Sequence, residues 1–274
     1  VVDVTALGVS NFWDAILAGD DTIRLGGRLQ AWTFGSAGVT AFGDFRQNAG
    51  GATVCGRDSI VIETGARSTN FSASVRVTGD VENAVFGGGG VICGDDVISA
   101  GMANFGVTLY GDLVSIFGFA NDAFIRFGDD ILVGGEGDDA LYGDAGPGLA
   151  MTLSGGDDRI FGGIGNDTLV GGAGDDLLFG ENGDDRLEAG AGTDRLEGGQ
   201  GNDIYIVDRF DLVIEAASGG NDTVVSAGTR TIDAEVETLT LSGGAANAFG
   251  DGRDNVLNGS LGANAIYGLE RNPT

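Results

Sequence analysis

Asp167, Asp176, Asp185, Asp194 and Asp203 recur at intervals of nine residues. They belong to an unbroken run of five nonapeptides beginning at Gly162: GGIGNDTLV, GGAGDDLLF, GENGDDRLE, AGAGTDRLE and GGQGNDIYI. The fourth place is always glycine (Gly165, Gly174, Gly183, Gly192, Gly201), and the eighth is Leu169, Leu178, Leu187, Leu196 or Tyr205. Carboxylates repeated this closely repel one another unless a cation sits among them. Aspartate supplies hard oxygens, and glycine reaches positive φ cheaply, leaving its carbonyls exposed. Together they suit Ca2+, which takes about six to eight oxygen ligands. A solvated acidic turn is the ordinary reading of a pair such as Asp175 and Asp176; the strict period beside glycine favours ligation.

Other chemistry is largely excluded. The chain of 274 residues contains no histidine, so HExxH zinc sites, Ser-His-Asp triads and Cys-His dyads are ruled out. Its 41 acids face 14 bases, all arginine, for a net charge of -27. Nucleic-acid binding needs clustered bases, and anionic membranes repel such a surface. Of the acids 31 are Asp and 10 are Glu, a bias towards turns and ligands rather than helices. The acids are too numerous for a catalytic pair to stand out. No apolar run is long enough to span a membrane, which predicts no membrane insertion. The opening VVDVTALGVS lacks a basic start followed by an apolar core, and its first Val reads as a processed chain or a piece of a longer one.

The elements that would position the aspartates follow from the same blocks. The last three residues of each alternate polar, apolar, polar or nearly so, the pattern of a very short strand with its central residue inward. Two blocks then make an 18-residue coil with a turn on each edge and a thin apolar interior. Coils would stack at about 4.8 Å. Before this run, GGEGDDALY from Gly134 is a full block, but GDAGPGLAM lacks the sixth-place aspartate and one extra residue follows. The resulting 19-residue spacing from Asp139 to Asp158 predicts a distorted or missing site. After residue 206 the pattern relaxes, then returns with Asn255 and Asn264 at the sixth place, where lost charge predicts empty turns; Asp222 is the best ligand candidate between.

The N-terminal half carries AGDDTI, CGRDSI, CGDDVI and FGDDIL, which share a GxDxU core with glycines at Gly19, Gly56, Gly94 and Gly128. The interval from each glycine to the next is near two 18-residue coils, so this half also reads as a solenoid with longer, irregular turns. Its Asp side chains would either ligate cations or cap their own turns. VSNFWDAIL (9–17) reads as an apolar cap or a binding groove. Cys55 and Cys93 share a CGxD context. They stack within disulfide reach if the interval between them forms one coil, and stay apart as buried thiols if it forms two.

The blocks resemble the GGxGxDxUx repeats of the RTX family of calcium-binding proteins. The resemblance implies an all-β fold, a right-handed parallel β-roll or β-solenoid with calcium bound between stacked glycine-rich turns. It further implies that each ion lies between turns two blocks apart on one edge. The upper turn gives carbonyls from its second and fourth places, the lower from its first and third, and both give the sixth-place Asp. One site would combine Gly163, Gly165 and Asp167 with Gly180, Asn182 and Asp185. A second would join Gly172, Gly174 and Asp176 to Ala189, Ala191 and Asp194. A third would use Glu181, Gly183, Asp185, Gly198, Gln200 and Asp203, and a fourth Ser154, Gly156, Asp158, Gly171, Ala173 and Asp176.

Three regions are expected: an irregular solenoid (1–133), the calcium-binding roll (134–206) and a degenerate solenoid (207–274). The expected function is a non-catalytic, calcium-folded protein of the extracellular space or cell surface, exported by type I secretion. It would act as a structural or assembly component, with self-assembly or a surface partner left open. The alternative is the calcium-binding part of a secreted hydrolase or toxin whose catalytic domain lies elsewhere.

Overall fold

A computed structural model describes strand backbone at residues 2–3, 22–25, 38–42, 53–54, 59–62, 74–78, 81–85, 91–92, 107, 113–117 and 125–126. It describes residues 96–99, 108–111, 127–144, 155–217, 219–244 and 246–268 in full. Every described strand pair is parallel, and two sheets of nine and ten strands run along the molecule. In the central region a strand of one sheet alternates with a strand of the other. Arg159–Ile164, Leu177–Asn182 and Arg195–Gln200 stack in the first sheet; Thr168–Ala173 and Arg186–Ala191 stack in the second.

The stacking keeps identical block positions in register. Leu132, Ile160, Leu178 and Leu196 form one fully buried column, and Leu109, Leu141, Leu169, Leu187 and Tyr205 form the other. These are the eighth-place residues, so the inward reading of that position holds. A buried side chain of this kind contributes roughly 1.5–3 kcal/mol. The strands are longer than the three-residue pattern suggests: Thr168–Ala173 continues through the first three places of the next block. Backbone pairing does not need side chains, so glycine can extend a strand that hydropathy cannot reveal. On the outer surface, Phe161 stacks on Phe179 at 5.0 Å, and Arg195 lies over the Phe179 ring.

Two coil lengths differ from the sequence reading. Ile131–Glu136 pairs with Arg159–Ile164 and Ala140–Tyr142 with Thr168–Ala173, each 28 residues on. This coil is therefore much longer than its 18-residue neighbours, and Asp139 aligns with Asp167 rather than with Asp158. Towards the N terminus, Thr22 pairs with Ser59, Ser59 with Val97 and Val97 with Ile131. Each interval is thus one wide coil, not two narrow ones. The coil from Ser59 carries further strands at Ser74–Thr78, Val81–Val85 and Val91–Ile92, each in a different sheet. Thr53–Val54 pairs with Val91–Ile92, which supports the single-coil alternative; Cys55 and Cys93 themselves lie outside the described residues, as does the segment 9–17.

Candidate metal centre

Each turn brings its sixth-place aspartate to an edge of the coil, and the parallel register stacks these aspartates into two columns. In one, the backbone N–H of Asp158 donates to Asp176 Oδ1 (2.9 Å), and that of Asp176 to Asp194 Oδ1 (2.8 Å). In the other, Asp139 donates to Asp167, Asp167 to Asp185, and Asp185 to Asp203, each at 2.8 Å. The first column reaches back through Asp130 to Asp96. The Asp130 and Asp158 side chains therefore bond across coils.

One oxygen of each carboxylate is spent on this ladder. The other is enclosed: Asp158, Asp167, Asp176, Asp185, Asp194, Asp203 and Asp222 are at most 2% exposed, and their Oδ2 atoms have no hydrogen-bond partner. The glycines make room for this arrangement. A methyl placed on Gly162 would sit 2.4 Å from Asp167 Oδ2 and 2.9 Å from the Gly180 carbonyl oxygen. On Gly171 it would meet Asp176 Oδ2 and the Ala189 carbonyl, and on Gly180 Asp185 Oδ2 and the Gly198 carbonyl. Carboxylate and carbonyl oxygens of adjacent coils thus converge where the first-place glycine leaves space.

Burial, with a further contribution from neighbouring carboxylates, pushes these acids up. Asp167 rises from 3.8 to about 6, Asp185, Asp194 and Asp203 to about 7, and Asp176 to about 8. Asp158 is raised well above 3.8 by burial and by Asp144 and Asp176. Buried carboxylate oxygens lacking both a donor and a base require neutralisation. The donor set is all oxygen and carries formal negative charge, which fits a hard divalent cation such as Ca2+.

Four segments, residues 126–148, 153–187, 171–205 and 249–270, match the RTX calcium-binding nonapeptide repeat family. These segments are RTX repeats. Their described strands belong to the parallel β-solenoid, and their acidic, repeat-patterned residues are consistent with a capacity to bind calcium. No curated protein matches the chain. Among the described residues no helix is long and apolar enough to cross a membrane.

The RTX turns bring together most of the residues expected to share a site. Gly165 donates to the Asn182 carbonyl, Gly174 to Ala191 and Gly183 to Gln200, at 2.9, 2.9 and 2.7 Å. Gly163 is in register with Glu181, Gly172 with Gly190, and Glu181 with Gly199. Gly156, Asp158, Gly171, Ala173 and Asp176 also meet on one edge, while Ser154 lies outside the described residues. Asp139 faces Asp167 across the long coil. Downstream, Asn255 accepts from the Asp251 N–H, and Asn264 donates to the Ala246 carbonyl.

Two features escaped the sequence reading. Fifth-place residues form an outer ladder: Asp175 donates to Asp157 Oδ1 and Thr193 to Asp175 Oδ1, while Asn166, Asp184, Asn202 and Asn221 repeat the pattern on the other edge. The recurring Asn, Asp or Thr at that place was the available signal. Asp144 is buried and accepts from the N–H groups of Gly156 and Ala173. Burial raises it to about 6. Its block lacks the sixth-place aspartate, so nothing in the repeat marked it.

Proposed function

We propose that the chain is an extracellular or cell-surface protein whose fold is completed by calcium held between stacked RTX turns. The observation that carries this reading is that Asp158, Asp176 and Asp194 in one in-register column, and Asp167, Asp185 and Asp203 in the other, are buried with Oδ2 atoms that have no partner. Gly163, Gly165, Asp167, Gly180, Asn182 and Asp185 would hold one ion, and the equivalent sets around Asp176–Asp194, Asp185–Asp203 and Asp158–Asp176 would hold others. The cation supplies positive charge and oxygen coordination between coils.

The protein's own groups account for the coupling. Like charges about 4 Å apart repel by about 1 kcal/mol in water, and more when partly buried. Ordering the backbone costs about 1–2 kcal/mol per residue, most of all for glycine. One inward apolar residue per block is a thin counterweight, so ligation and folding act as one process. Extracellular calcium modules bind at about 10⁻⁴ to 10⁻³ M. A chain of this class stays unfolded at cytosolic calcium and folds outside, which suits type I secretion. In this reading residues 1–133 are an irregular solenoid scaffold, 134–206 the calcium roll and 207–274 its degenerate continuation. The assembled surface serves structural or assembly contacts, including self-assembly.

Limited proteolysis tests the coupling. Cleavage should fall within 153–206 when the chain is held in chelator, and that region should resist cleavage with millimolar calcium. Equal cleavage under both conditions would remove the proposal.

A further inference from the structure

The two aspartate columns end differently. The first ends on Asp211, where Arg230 is buried and donates to the carbonyls of Asp208 (2.8 Å) and Asp211 (3.1 Å) and to the Asp233 carboxylate. A guanidinium therefore supplies the positive charge at that end. The second column passes Asp203 to Asp222, and no described arginine forms an ion pair with either. A third carboxylate, Glu215, arrives there instead. One ligand oxygen from each of Asp203, Glu215 and Asp222 lies within 4.8 Å of the other two.

We propose that Asp203, Glu215 and Asp222 form a separate cation site, one that takes a hard divalent ion chiefly through side-chain carboxylates. Two observations besides the proximity of the three carboxylates point to a ligand. Asp203 and Asp222 are each 1% exposed, and their Oδ2 atoms have no partner, because Oδ1 of each already accepts a backbone N–H (from Asp185 and Asp203). Asp203 Oδ2 also points into the space beside Gly198, where an added methyl would lie 2.1 Å from it and 2.3 Å from the Tyr205 hydroxyl. That hydroxyl accepts from the Gly198 N–H at 2.7 Å and donates to Glu215 Oε1, while Glu215 Oε2 accepts from the Ala216 N–H at 3.0 Å.

Tyr205 occupies the eighth place, where the preceding four blocks carry leucine. Its ring fills the apolar column and its hydroxyl fixes Glu215 at the edge. The site differs from the RTX turns in kind. Those would combine two carboxylates with four carbonyls from a repeat, whereas here there are three carboxylates, and two of them, Glu215 and Asp222, come from outside the matched segments. With three formal negative charges, this site should bind more tightly than its neighbours and fasten the coil after residue 206 to the roll.

The test is calcium titration calorimetry on the whole chain, comparing wild type with Glu215→Gln. Circular dichroism at saturating calcium checks that both fold. The expected result is that Glu215→Gln weakens one ion by at least tenfold and leaves the remaining uptake intact. Equal stoichiometry and affinity in both chains would overturn this site alone. A wild type that takes up no calcium would remove it together with the proposed function. Should Glu215→Gln fail to fold, Tyr205→Phe gives a second reading, since it keeps all three carboxylates. Terbium emission excited through tyrosine should fall several-fold in Tyr205→Phe at equal terbium uptake, and unchanged emission would contradict the placement.

Discussion

At the scale of single residues, the sixth-place carboxyls make the metal-free fold sensitive to pH. Burial raises Asp167, Asp185, Asp194, Asp203 and Asp176 to between about 6 and about 8, from 3.8. Each therefore binds protons more tightly folded than unfolded. The stability it contributes is fully present below the unfolded value and is lost as pH rises through the folded one. In chelator, β circular dichroism should grow as pH falls from 8 to 5, while the calcium midpoint moves upward because protons compete for the same oxygens. A chelated chain whose spectrum is flat over that range would contradict the burial of these acids. Asp185→Asn should raise the calcium midpoint about ten- to hundredfold, as expected for a charge-assisted contact of roughly 1.5–3 kcal/mol. Asp184→Asn should change it little, because the outer ladder already accepts Asn166 at the equivalent place. Glu181 holds a φ of 75° where neighbouring blocks place glycine. Glu181→Gly should add about 1 kcal/mol, measured as a higher melting temperature in saturating calcium. Asp at the sixth place and glycine at the fourth were legible in sequence because their chemistry is local. Glu215 was not, since its role depends on a coil of different length.

At the scale of elements, stability rests on two apolar columns one residue wide. Leu178 is fully buried between Ile160 and Leu196. Leu178→Ala should cost about 2–5 kcal/mol and shift the calcium midpoint of folding upward; a shift absent from that variant would mean the column is not the core. The turns are equally constrained. Gly165 has a φ of 145°, and a methyl there would sit 2.1 Å from the Gly137 carbonyl oxygen. The eighth-place period exposed these columns before any coordinates. Coil length was harder to read. The pairing of 131–136 with 159–164 and of 140–142 with 168–170 sets a 28-residue step, so counting along the chain misplaces Asp139. In the first half, the interval from Ser59 to Val97 fits two narrow coils as well as one coil with four strands. The register of Ser59 with Val97 and that of Thr53 with Val91 separate them.

At the scale of the whole molecule, the net charge is -27, and among the described residues Arg230 is the one buried arginine. The pairs Arg186–Glu188 and Arg195–Glu197 are exposed, and such pairs contribute about 0–1 kcal/mol. A cation between the turns would supply the charge that these pairs do not. Far-UV circular dichroism during a calcium titration from a chelated start, with magnesium as the control, tests it most directly. A cooperative rise in β signal is expected between about 10⁻⁴ and 10⁻³ M calcium, with none from magnesium. A chain already fully β in chelator at neutral pH, unmoved by calcium, would contradict it.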